Sequence, residues 1–143
     1  MPNWNTYKED AVLFVEAGFV SVNMADEDTA LKLFKAAELV APDMLLPKIG
    51  YGYLHLHKLE LKQACKAFEE VLEKEPENEM AKTFLGLCLG LSTTTIDKGE
   101  KLLMQMARSK DPMIARLSDT AISFCEKYVK KNPGPASPEH HKK

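Results

Sequence analysis

The chain has little with which to do chemistry. It contains no phosphate-cradling Gly-x-x-x-x-Gly-Lys-Ser/Thr loop, no Gly-x-Ser-x-Gly elbow and no Cys-x-x-Cys pair. Gly50-Tyr51-Gly52 begins a dinucleotide-type fingerprint, but His55 stands where the third glycine belongs and no strand pattern precedes it. An enzyme is not expected, nor is a cofactor or a metal. Neither sign of charge prevails: 19 basic against 21 acidic residues leave a net charge of −2. Nucleic-acid binding needs clustered lysine and arginine to displace counterions, so it too is not expected. No apolar run approaches the roughly 18–20 residues that a membrane span requires. Residues 1–10 lack a basic stretch followed by an apolar one, so no secretory signal is read. The three cysteines, Cys65, Cys88 and Cys125, are an odd number and fall within helical patterns. They read as small buried apolar residues in a reducing compartment, and a cytoplasmic protein is expected.

What the chain does have is a period. Gly18, Gly52 and Gly86 are 34 residues apart, Pro42 and Pro76 are 34 apart, and Pro112 follows 36 later. Ala30, Phe34, Ala37 and Pro42 answer Ala64, Phe68, Val71 and Pro76. A 34-residue period with glycine, then alanine and an aromatic residue four apart, then a closing proline, is the tetratricopeptide signature. The expected fold is all-α: a tetratricopeptide-repeat solenoid of three helix-turn-helix repeats plus a C-terminal capping helix. One domain is expected over residues 1–131, and a disordered, proline-rich tail over 132–143.

The first repeat runs from about Ala11 to Asp43 or Met44. Its first helix ends near Asn23, and Asp26 or Asp28 caps the second. The second repeat runs from about Leu45 to Asn78, with Asp43 as the expected cap and Pro47 in the first helical turn. Its inter-helix turn falls near Lys58–Glu60. The third repeat starts near Glu79. Ser92-Thr93-Thr94-Thr95 lengthens its turn by about two residues, which accounts for the last proline spacing. Asp97 and Glu100 resemble a capping box, and Met104 and Ala107 take the aromatic and small positions. Asp111-Pro112 opens the closing helix, whose expected apolar stripe is Ile114, Leu117, Ala121, Phe124, Cys125 and Tyr128.

In a solenoid of this kind the first helix of each repeat lines the concave groove. The second, fifth, ninth and twelfth positions of each repeat face into it. Here these are Val12, Val15, Phe19 and Val22; then Leu46, Ile49, Tyr53 and Leu56; then Met80, Thr83, Leu87 and Gly90. None is charged. A groove that captures a free carboxylate needs lysine, arginine and asparagine there, so that kind of ligand is excluded. An empty apolar trough is an aggregation liability. It suits the apolar face of an amphipathic helix, the alternatives being the closing helix folded back or a second copy.

The remaining candidates are minor. His55 and His57 point roughly 200° apart on a helix and cannot grip one metal together. His140 and His141 lie in the tail. Trp4 and Tyr7 precede the first repeat, either covering its end or offering a second contact surface.

These residues resemble the small tetratricopeptide chaperones of bacterial type III secretion. Chaperones of translocator proteins in that group carry a helical dimerisation segment before the first repeat, whereas ten residues precede Ala11 here. With its short N-terminal stretch and apolar groove the chain resembles the needle-subunit branch, and within it the chlamydial version. The resemblance covers roughly residues 7–130. It implies a cytoplasmic bacterial chaperone that holds the C-terminal amphipathic helix of a needle subunit in the groove and prevents premature polymerisation. It also implies a small helical co-chaperone packed against the early repeats, touching Trp4 and Tyr7, in a heterotrimer. A translocator chaperone and a general tetratricopeptide adaptor remain the alternatives.

Overall fold

A computed structural model describes residues 4–130, for Trp4 and Asn5 the backbone alone. Every regular element among these residues is a helix, joined by short turns, without a strand among them. The helices are α1 (Trp4–Asn23), α2 (Glu27–Val40), α3 (Leu46–His57), α4 (Leu61–Lys74), α5 (Glu79–Gly90), α6 (Ile96–Met106) and α7 (Pro112–Phe124). A π-helical turn, Cys125–Lys130, continues α7. The chain divides into two compact units, Met1–Lys74 and Glu75–Lys143. In the first, α1 packs on α2, α3 on α4, and α3 also against α1 and α2. In the second, α5 packs on α6, and α7 on both. The tail expected over 132–143, with His140 and His141, lies outside the described residues.

The 34-residue period is visible as packing. Cβ atoms on Gly18 and Gly50 would each fall within 2.5 Å of Phe34, and one on Gly52 2.6 Å from Phe68. Each ring therefore occupies a notch that only glycine leaves open. The aromatic residue and the glycine are one packing device written at two places in the sequence. Ala30, Phe34 and Ala37 are fully buried, as are Ala64, Phe68 and Val71. The period recurs in the backbone. Ala25 and Leu59, 34 apart, both hold φ of 60° between the paired helices. Each turn closes with the same long bond, Asp26 N–H to Ser21 O and Glu60 N–H to His55 O. This is a Schellman-type stop, usually built with glycine.

The third repeat is in a different register from the expected one. In α6 a Cβ on Gly86 meets Leu103 at 2.9 Å, and Leu103 is fully buried while Met104 is 60% exposed. Gly99, Leu103 and Met106 therefore stand where Ala64, Phe68 and Val71 stand in α4, and not Met104 and Ala107. The inserted turn adds one residue ahead of α6, and the rest of the extra spacing falls after it. Gly99 replaces alanine because a Cβ there would lie 2.4 Å from the Gly90 nitrogen.

Two expected caps are corrected. Asp26 accepts from Thr29 N–H, and Asp111 accepts from Met113 N–H ahead of Pro112. Leu45, however, precedes α3 without a side-chain cap, so Asp43 does not cap it. Thr95 precedes α6 and turns its hydroxyl to Leu89 O, so Asp97 and Glu100 form no capping box. Glu100 is instead buried and pairs with Lys130. On α7 the buried stripe is Ile114, Ser118, Ala121 and Cys125. Phe124 and Tyr128, expected within it, pair with each other at the surface, ring centroids 5.1 Å apart.

Candidate functional site

The first helix of each repeat carries the candidate site, and helix geometry splits its positions in two. At 100° per residue, the fifth and twelfth positions lean together to one side, and the second and ninth to the other. Val15, Val22, Ile49, Leu56 and Thr83 are accordingly buried, and Gly90 lies under Cys125. Val12, Phe19, Leu46 and Tyr53 in the first unit, and Met80 and Leu87 in the second, are half-buried and keep an open edge. Thr83 does not interrupt the apolar character, because its hydroxyl donates to Glu79 O one turn back.

In the first unit the structure gathers several of these residues. Phe19, Leu46 and Tyr53 pack on the core formed by Ala11, Val15, Val22, Ala30, Phe34, Ala37 and Leu54. The rings of Phe19 and Tyr53 meet edge to face at 4.8 Å, and Phe19 reaches Phe34 at 6.1 Å. Such pairs fix ring orientation beyond what area burial does. Tyr53 donates its hydroxyl to Asn23 Oδ1, and its ring lies 6.2 Å from that of His57. Asn23 and His57 stand 34 residues apart and four after Phe19 and Tyr53. They end the half-open ridge with polar groups. Extending the position pattern by one helical turn would have found them.

The other histidine sits apart from the ridge. His55 Nδ1 lies 2.9 Å from Glu60 Oε1, and Lys58 Nζ reaches Glu27 at 3.0 Å and Glu60 at 3.6 Å. The hydrogen bond from His55, with the Lys58 charge, holds the Glu60 carboxyl below its ordinary range. The Glu27 carboxylate raises the Lys58 amine. These contacts tie the α3–α4 turn to the start of α2. Among the described residues no group of three or more histidine, cysteine, aspartate or glutamate side chains could hold a metal ion. No helix among the described residues is long and apolar enough to cross a membrane.

A second surface lies on α1. Leu13, Val20 and Met24 are 61%, 56% and 75% exposed, and with Ala17 they form one stripe at helical spacing. The corresponding residues of α3 are Pro47, Tyr51, Leu54 and Lys58. Pro47 and Leu54 are buried, and Tyr51 packs edge to face on Phe34 and donates to Glu38. The stripe is thus the face that α2 and α1 cover on α3, left open on α1. A shallow hollow of about 400 Å³ lined by Lys8, Glu9, Val12 and Leu13 adjoins it. Tyr7 is 41% exposed. The side chain of Trp4 lies outside the described residues. The spacing of Leu13, Ala17, Val20 and Met24 was legible, but that it faces solvent was not.

No protein-family model, no curated protein and no solved structure matches this chain.

Proposed function

We propose that the chain is a tetratricopeptide-repeat binding protein that holds an amphipathic helix, in the manner of a needle-subunit chaperone of type III secretion in a bacterial cytoplasm. The observation that carries this reading is the uncharged ridge of Val12, Phe19, Leu46 and Tyr53, half-open and oriented by the Phe19–Tyr53 contact. Rigid aromatics on an apolar face favour an apolar helix anchor over a charged group. Met80 and Leu87 offer the same half-open pair in the third repeat. Held there, the client helix could not join its own polymer.

The stripe on α1 supports a second partner, the small helical co-chaperone, which completes a heterotrimer. Its docking helix would cover α1 as α2 covers α3, with one difference. Glu16 stands where Gly50 makes room for Phe34. The incoming helix therefore presents a small or basic residue there and not an aromatic ring.

The test is purification of the chain from its native cell with crosslinking. A short, filament-forming helical protein crosslinked to α1 or α3 supports the chaperone reading. A client crosslinked only to α2 or α4 overturns it.

A further inference from the structure

Two contacts of the π-helical turn that follows α7 share a geometry. Cys125 is fully buried, and its sulfur lies 2.6 Å from where a Cβ on Gly90 would be. The thiol fills the notch left by that glycine. Five residues on, Lys130 reaches the carboxylate of Glu100 on α6. Glu100 is 8% exposed, the one buried carboxylate among the described residues. In an α-helix, five residues carry a side chain about 140° past a full turn. In an i→i+5 helix they return it close to the same side. The wider turn is thus what lets Cys125 and Lys130 face α5 and α6 together. Between them, Glu126, Lys127 and Tyr128 are exposed and Val129 is half-buried. Of the six residues only Cys125 is buried.

We propose that the Lys130–Glu100 pair is a latch that keeps this turn wound as a π-helix and the Cys125 thiol seated on Gly90, and that the turn opens locally when the pair is broken. The Coulomb attraction acts across a site that is largely closed to water on the Glu100 side, so its loss leaves a buried carboxylate without its cation. A segment with one buried residue in six opens more readily than the packed helices beside it.

Cys125 reports the opening, since a buried thiol reacts only when exposed. The full chain is treated with a maleimide, and labelling at Cys65, Cys88 and Cys125 is followed separately by peptide mass mapping. Lys130→Met should raise the labelling rate of Cys125 about tenfold or more and leave that of buried Cys88 unchanged. Lys130→Arg, which keeps a cation for Glu100, should label Cys125 at close to the wild-type rate. Unchanged Cys125 labelling in Lys130→Met overturns the latch. So does a parallel rise at Cys88, which would mean that the whole unit opens. Lys130→Arg labelling as fast as Lys130→Met overturns it as well.

Discussion

A Cβ on Gly18 would stand 2.3 Å from Cε1 of Phe34. No side chain fits between the two, so the glycine in α1 and the aromatic residue in α2 specify each other. The same relation joins Gly52 with Phe68, and Gly86 with Leu103. The repeat period is therefore a record of one packing contact made three times.

Gly52→Leu should overfill that contact and destabilise the protein by about 1–3 kcal/mol or more. Thermal unfolding followed by circular dichroism measures it. An unchanged midpoint would show that Phe68 can leave the notch without cost.

The two left-handed turn residues give a prediction of opposite sign. Leu59 is 71% exposed and holds φ of 60°. Leu59→Gly removes the strain of that conformation and forfeits almost no packing. After the entropy cost of glycine, a gain of about 0.5–1 kcal/mol is expected. Lys35→Gly, inside α2, should instead cost about 1 kcal/mol. Urea midpoints of the two variants should move in opposite directions.

Tyr53 is the residue to change in the ridge. Tyr53→Ala should weaken capture of the client helix roughly thirtyfold, the value of a central aromatic anchor of about 2 kcal/mol. Lys66→Ala on α4 should bind as wild type, with helicity checked in both. If a folded Tyr53→Ala protein binds normally and Lys66→Ala does not, the client lies on the α4 side. Tyr53→Phe, which removes the bond to Asn23 and keeps the ring, should cost far less.

Charge placed on the α1 stripe should separate the two partners. Val20→Asp leaves a helix surface intact, because Val20 is 56% exposed. It should abolish co-chaperone binding and leave client capture unchanged in size-exclusion chromatography. Loss of both together would place both partners on one surface.

Hydrogen bonds from Thr29 hold Asp26 below its ordinary range, and two ion-paired carboxyls add a salt-sensitive part of the pH dependence. His55 and Lys58 hold Glu60 below its ordinary 4.5, and Lys48 does the same for Glu70. In both cases the unfolded chain binds the proton more readily than the folded one. Their contribution is complete above 4.5 and is lost as pH falls through the lower folded values. Urea midpoints from about pH 6 to about pH 3 should fall slightly, and less so at high salt, since both pairs are exposed to screening.

The ridge and the stripe show how far the sequence could be read. Phe19 and Tyr53 are identifiable from the period alone, and the structure brings their rings together. Whether Val15 or Val12 faces outward was not legible, because both are apolar and lie three residues apart. Only the packing of α2 and α3 against α1 separates them. Leu13, Val20 and Met24 have the same difficulty in reverse: an apolar stripe reads as core until nothing is found to cover it.

The sequence by itself determined that this chain is helical, where most of its helices break, and that its glycines, alanines and aromatic residues recur in step, since these rest on local propensity and on a fixed spacing; which glycine opens the notch for which ring is a tertiary contact. The tertiary structure decided the register of the third repeat. There, the sequence reading puts Met104 in the aromatic position, and only the notch at Gly86 shows that Leu103 fills it. It also decided the fate of Glu100 and Cys125, which read as a cap and a small apolar filler. Their partners, Lys130 and Gly90, lie 30 and 35 residues away, and a contact made once at such a distance leaves no period to read.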